Sequence, residues 1–253
     1  MNAGRRGQMP SALSIGARPS PNHGARRAGP VDMIILHYTG MPDADQALAW
    51  LCSEQSQVSA HYFIFEDGRI VQMVDEDRRA WHAGAASWAG ETDINSRSIG
   101  IEIANIGHDG CLPPFAGAQI DAVIGLSRDI TARHAIPAHR VLAHSDVAPG
   151  RKRDPGEAFP WDRLAGEAIG HWIEPDPIDG GRFLAPGDEG EPVAALQALL
   201  ALYGYGVDVS GVFDERTGHV VIAFQRHFRP ARVDGIADTS TVTTLQRLLA
   251  ALP

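Results

Sequence analysis

The chain is poor in cysteine: Cys52 and Cys111 are the only two in 253 residues. Two cysteines make no disulfide framework, and their spacing matches no metal-binding pattern. Long apolar runs are missing as well. No stretch approaches the ~18 apolar residues of a membrane span. After the basic start, "SALSIGA" is weakly apolar and closed off by Arg18, so it does not read as a secretory leader. The Arg5-Arg6 pair likewise lacks the apolar segment that should follow a twin-arginine signal. Basic residues are outnumbered, with 22 Lys+Arg against 31 Asp+Glu for a net charge of −9. Residues 1–30 hold Arg5, Arg6, Arg18, Arg26 and Arg27 and no acid, so removing those five charges leaves −14 on the rest. Phosphate binding relies on clustered Lys and Arg, which argues against nucleic acid as a partner. These absences favour a cytoplasmic protein, with the periplasm as the alternative. They leave residues 1–30 as a flexible arm or an ordered surface extension.

What is present suits an ordinary globular core, at 44% hydrophobic and 21% charged residues. "VDMIILH" (31–37) and "AHYFIF" (60–65) read as strands, being short, apolar and β-branched or aromatic. "EDGR" (66–69) turns the second into "IVQMV" (70–74), a hairpin. "SIGIEIA" (98–104) alternates with Ile99, Ile101 and Ile103 on one face, and "RVLAH" (140–144) is a last short strand. Helices fall between them: after Asp43, over 118–133, and over 160–173 behind a proline suited to a first turn. The expected fold is α/β, a mixed central sheet flanked by helices.

Residues 174–189 are rich in proline and glycine and read as a linker. From 190 to 253 a small three-helix domain is expected. Its sign is a repeat: "VSGVFDERTGHVV" (209–221) matches "VDGIADTSTVTTL" (233–245), with Asp214 and Asp238 placed as helix N-caps.

Three polar residues ride on the strands: His37 ends "MIILH", Glu102 sits within "SIGIEIA", and His144 ends "RVLAH". Any one histidine taken singly is a satisfied strand end. Glu102 shares its face with Ser98, Gly100 and Ala104, all small, so its carboxylate stands over an open floor. A mid-strand carboxylate among apolar neighbours has to be paired, metal-bound or functional. Two histidines and a carboxylate with one position left to water make a catalytic zinc site. If the strands of His37 and His144 pair, Asp154 can return along "HSDVAPGRKRDPG" (144–156) to complete it. The spacing alone leaves a solvated loop as an alternative.

"LHYTG", "SAHYFIFEDG", "WHAG", "NSRSIGIEIAN" and "AHSDVAPGRKRDPG" together resemble the zinc-dependent N-acetylmuramoyl-L-alanine amidases, over about residues 31–173. Leu196-Gln197, Gly204-Tyr205, Gly211, Thr217 and Phe224-Gln225 resemble the peptidoglycan-binding three-helix module. The first resemblance implies one zinc per chain on His37, His144 and Asp154, Glu102 as the acid–base group, and Lys152 beside the reacting carbonyl. Arg151 and Arg153 are read as solvated charge. His61, Asn95 and Arg97 are weaker candidates for substrate contacts, and Trp81 and His82 read as wall. The implied reaction is hydrolysis of the muramoyl–L-alanine amide of peptidoglycan fragments, in cell-wall recycling. A lytic amidase acting on intact sacculi and a non-catalytic wall-binding protein remain the alternatives.

Overall fold

The computed structural model describes residues 13–253; the Arg5-Arg6 pair and the start of the expected arm lie outside the described residues. The first unit runs β1 (Ile15–Ala17), β2 (His23–Ala25), β3 (Met33–Tyr38), α1 (Ala44–Leu51), β4 (Tyr62–Ile64), β5 (Ile70–Gln72) and β6 (Arg78–Ala80). It continues with α2 (Ile94–Arg97), β7 (Ser98–Ile103), α3 (Gly117–His134), β8 (Val141–Ala143), α4 (His144–Val147) and α5 (Trp161–Gly166). The C-terminal unit holds β9 (Phe183–Leu184), α6 (Glu191–Tyr203), α7 (Glu215–Phe228), β10 (Ala237–Asp238) and α8 (Thr239–Ala250).

Six strands form one sheet in the order β1-β5-β4-β7-β3-β8, parallel throughout except for the β4–β5 hairpin. One face carries Ile34, Leu36, Ile99, Ile101 and Ile103 against Ile120, Val123 and Ile130 of α3 and Leu164 of α5. The opposite face carries Met33, Ile35 and Leu142, and these belong to one apolar cluster with Val193, Leu200, Phe224, Phe228 and Leu245. The three C-terminal helices therefore cover this face at β3 and β8, while Phe63 of β4 packs with Ala47, Leu48 and Leu51 of α1. The run "MIIL" is apolar on both sides of its strand, and a parallel strand of that kind needs helices on both faces.

The fold decides between two readings of the arm and corrects one helix. Residues 13–30 follow the ordered extension: β1 joins the sheet edge beside β5, β2 pairs with β6, and Ser20 and Asn22 are buried. The helix expected over 160–173 stops at Gly166, because Ala168 and Gly170 take positive φ and turn the chain away. The repeat of the C-terminal unit has a concrete cause. Gln197 and Gln225 each accept two backbone N–H bonds, from Ser210 and Gly211 and from Asp234 and Gly235. Gly211 and Gly235 sit at φ +74 and +76, which glycine adopts freely. Asp214 and Asp238 then accept from the Thr217 and Thr241 amides, capping α7 and α8.

Candidate metal centre and active site

Parallel pairing of β3 with β7 sets His37 directly beside Glu102. On the other side Leu36 pairs with Ala143, so the next residue, His144, falls beside His37. His144 is not the strand end expected from sequence but the first residue of α4, which turns its ring inward. The loop then brings Asp154 back, and the Ser145 amide donates to the Asp154 carbonyl at 3.0 Å. His37 Nδ1 lies 2.9 Å from His144 Nδ1 and 3.0 Å from Asp154 Oδ2, and the last pair is 2.9 Å apart. All three residues are buried.

The surrounding hydrogen bonds assign the protons. Ser98 donates its hydroxyl to the Ile94 carbonyl at 2.6 Å, so its oxygen must accept from His82 Nε2 at 3.2 Å. His82 Nδ1 is then a bare acceptor, and His37 Nε2 donates to it at 3.0 Å. His144 Nε2 donates to the Ala83 carbonyl at 3.1 Å. Both facing Nδ1 atoms thus carry lone pairs, and Asp154 adds a third acceptor. Three acceptors at mutual distances near 3 Å without a proton between them repel one another, and a cation resolves the repulsion. The donor set, two imidazoles and a carboxylate, suits zinc.

Electrostatics agree with this arrangement. Burial pushes the His37 imidazole down to about 4, with His144 adding to the effect, so the His37 ring stays neutral at pH 7. Burial works against the Asp154 carboxylate, yet the charge and hydrogen bonds of His144 and His37 hold its carboxyl well below the usual range. Glu102 goes the other way: burial, then the Asp154 charge, push it well above the usual range, with Lys152 opposing. Its Oε2 is sealed from solvent and has no partner among the described residues. A cavity of about 490 Å³ opens above this group, lined by Glu102, Lys152, Met41, Trp50 and Trp81 as well as the three donors.

The family model for "N-acetylmuramoyl-L-alanine amidase" matches residues 27–157, and that for "Putative peptidoglycan binding domain" matches residues 189–251. The chain belongs to the N-acetylmuramoyl-L-alanine amidase family. The amidase AmiD of Escherichia coli K12 is 41% identical over 233 residues, covering 87% of this chain and 82% of that one. The 1,6-anhydro-N-acetylmuramyl-L-alanine amidase AmpD of Enterobacter cloacae is 33% identical over 167 residues, 58% of this chain and 86% of its own. Among solved structures, AmiD of E. coli in complex with anhydro-N-acetylmuramic acid-L-Ala-D-gamma-Glu-L-Lys superposes with a TM-score of 0.74 at 39% identity, covering 92% of both chains. AmpDh3 of Pseudomonas aeruginosa in complex with an anhydromuramic pentapeptide gives 0.72 at 33% identity, covering 90% and 93%.

In this amidase the expected substrate contacts His61, Asn95 and Arg97 do not line the cavity. His61 is fully buried, with the Gly100 amide on Nδ1 and its Nε2 donating to the Arg78 carbonyl. Burial, then Arg26, push it down to about 3, so it is a neutral structural ring. Asn95 accepts from the His82 and Ala83 amides and fixes the "WHAG" turn. Arg97 is held by Asp32 and Glu91. The open floor beside Glu102 is also corrected: the His82 ring fills the space over Gly100. His82, read from sequence as wall, is the hydrogen-bond partner of the His37 ring. Arg151 is not idle charge, since its guanidinium bonds the Ala83 and Ala85 carbonyls at the cavity rim. Arg153 is exposed and pairs with Asp109. A signal for Lys152 stood unused in the sequence, because it is the only lysine of the chain. Among the described residues no helix is long and apolar enough to cross a membrane.

Proposed function

We propose that this amidase cuts the amide between 1,6-anhydro-N-acetylmuramic acid and L-alanine in soluble peptidoglycan fragments, with one zinc ion held by His37, His144 and Asp154. The observation that carries the reading is the meeting of three proton-free donors under a cavity that also receives Glu102 and Lys152. Zinc at that point supplies a polarised carbonyl and a water of lowered pKa. Glu102, with its raised proton affinity, takes the proton of the attacking water and delivers it to the leaving amine. Lys152 sets a cation on the cavity wall where negative charge develops on the carbonyl oxygen. His82 keeps the His37 ring oriented and fixes its tautomer.

Support for the substrate form comes from two relatives, whose structures hold anhydromuramic peptides, and from the cavity's size, which suits a compact ligand. A soluble fragment of this kind is what a cytoplasmic enzyme would meet, and that compartment is part of the proposal. The test is zinc content by elemental analysis, together with mass spectrometry of products from anhydro-muropeptides and from intact sacculi. One equivalent of zinc and faster release of peptide from anhydro-muropeptides are expected. Faster cleavage of sacculi, or recovery of the protein from the periplasm, overturns the recycling role.

A further inference from the structure

We propose that Asp146, Tyr205 and His227 form a support through which the C-terminal helical unit positions two of the three metal donors, His144 and Asp154. This rests on the zinc reading of the site given above. Asp146 is the third residue of α4, and no part of it reaches solvent. Its carboxylate accepts three bonds. The Ala143 amide donates to Oδ2 at 2.8 Å, which closes the start of α4 on the end of β8. His227 Nδ1 of α7 donates to the same oxygen at 2.6 Å, and the Tyr205 hydroxyl donates to Oδ1 at 2.7 Å. Two of the three donors therefore come from the C-terminal unit.

Neither donor has room to wander. The His227 ring is stacked between Trp161, at 3.7 Å, and Phe228, at 3.8 Å between centroids. Tyr205 lies edge-on to Trp88 at 4.9 Å, and its backbone pairs with that residue in a β-bridge. A buried carboxylate is costly unless its bonds are kept, so this triad locks α4 in one place. Of the other α4 side chains, the Ser145 hydroxyl is buried without a partner among the described residues, Val147 is apolar, and His144 bonds the Ala83 carbonyl of the first unit.

What α4 carries is decisive. His144 is its first residue, and the Ser145 amide holds the Asp154 carbonyl at 3.0 Å. Moving α4 therefore moves His144 and Asp154 together against His37, which stands on the central strand β3. Donors separated by about 3 Å tolerate little displacement, because coordination distances are met only within about 0.2 Å. The unit matched as a wall-binding module thus acts on the metal site from behind as a positioning element.

The test uses the full chain and the Tyr205→Phe and His227→Leu variants, alone and combined. Zinc affinity is measured by competition with a chromogenic chelator, and ligand geometry by the visible spectrum of the cobalt-substituted protein. The combined variant is expected to bind zinc roughly 10–100-fold more weakly, the range for groups that hold metal ligands in place, with an altered cobalt spectrum. His227→Asn, whose amide nitrogen can replace Nδ1, is expected to recover most of the affinity lost in His227→Leu. Leu245→Ala opens the shared core on α8 without touching the triad, so it is expected to lower Tm but leave zinc affinity unchanged. Parent-like affinity in the combined variant overturns the proposal, as does an equal loss in Leu245→Ala. A parent chain that takes up no zinc overturns the metal reading, and this inference with it.

Discussion

Gly100→Ala tests the hydrogen-bond relay behind His37 without replacing Glu102, Lys152 or any of the three metal donors. A Cβ at position 100 would lie 2.5 Å from His82 Cγ and 2.7 Å from Cδ2 and Nδ1. Carbon contacts are comfortable at about 3.5–4.0 Å, so the ring must retreat by roughly 1 Å. The Gly100 backbone is ordinary strand, so alanine adds no backbone strain and the clash is the whole effect. His82 cannot retreat freely, since it is bonded to His37 at 3.0 Å and to Ser98 at 3.2 Å. Overpacking of this kind costs about 1–3 kcal/mol. Each lost bond adds about 1 kcal/mol. A total of about 3–5 kcal/mol lowers Tm by roughly 6–20 °C in a chain of this size. The His37 ring also loses its anchor, so zinc affinity should fall about 10–100-fold. Thermal unfolding by circular dichroism and a chelator competition titration read the two effects. Gly117→Ala, whose Cβ would meet nothing, is the matched control. Gly100→Ala with unchanged Tm and unchanged zinc affinity would refute the relay.

Three further outcomes are expected. Glu102 has a folded pKa above its ordinary value, so the metal-free protein loses stability as pH rises from the ordinary carboxylate range toward that raised value. Metal-free Glu102→Gln should therefore melt above the parent near pH 8, with the gap closing near about pH 4, and a gap independent of pH would count against the buried carboxylate. The same variant should retain zinc while losing ~10²–10⁴-fold in turnover, and an emptied metal site would instead make Glu102 a ligand. Acylation of Lys152, the only lysine, should abolish turnover in step with labelling at that residue and leave zinc bound; full turnover in the acylated enzyme would remove Lys152 from the mechanism. A chain ended at residue 188 uncovers Met33, Ile35, Leu142 and Val147, so it should aggregate or lose zinc affinity; a soluble monomer with parent zinc affinity would contradict the shared core.

The strand and helix pattern was legible because it is local. "MIILH", "SIGIEIA" and the hairpin at "EDGR" carry their periodicity within a few residues, and the repeat at 209–221 and 233–245 announces its own caps. The candidates His37, Glu102, His144, Lys152 and Asp154 stood out because their types were anomalous in their surroundings, and because their motifs resemble a family. The weaker candidates lie away from the cavity for a physical reason. His61, Asn95 and Arg97 have the same polar chemistry as the residues that line it, and only packing tells which cavity a side chain reaches. The role of the C-terminal helices was hidden likewise. Composition shows that "MIIL" is apolar on both faces, but not which residues cover the second face. The sequence by itself determined the central strands, most of the helices, the repeat and the types of the candidate ligands, since those depend on neighbours along the chain. Only the tertiary structure decided that His82 steadies His37, that residues 13–30 complete the sheet, and that Tyr205 and His227 meet Asp146. Those contacts join residues 45 to 81 positions apart, or a strand to its sheet, and no local spacing encodes a pairing that packing alone creates.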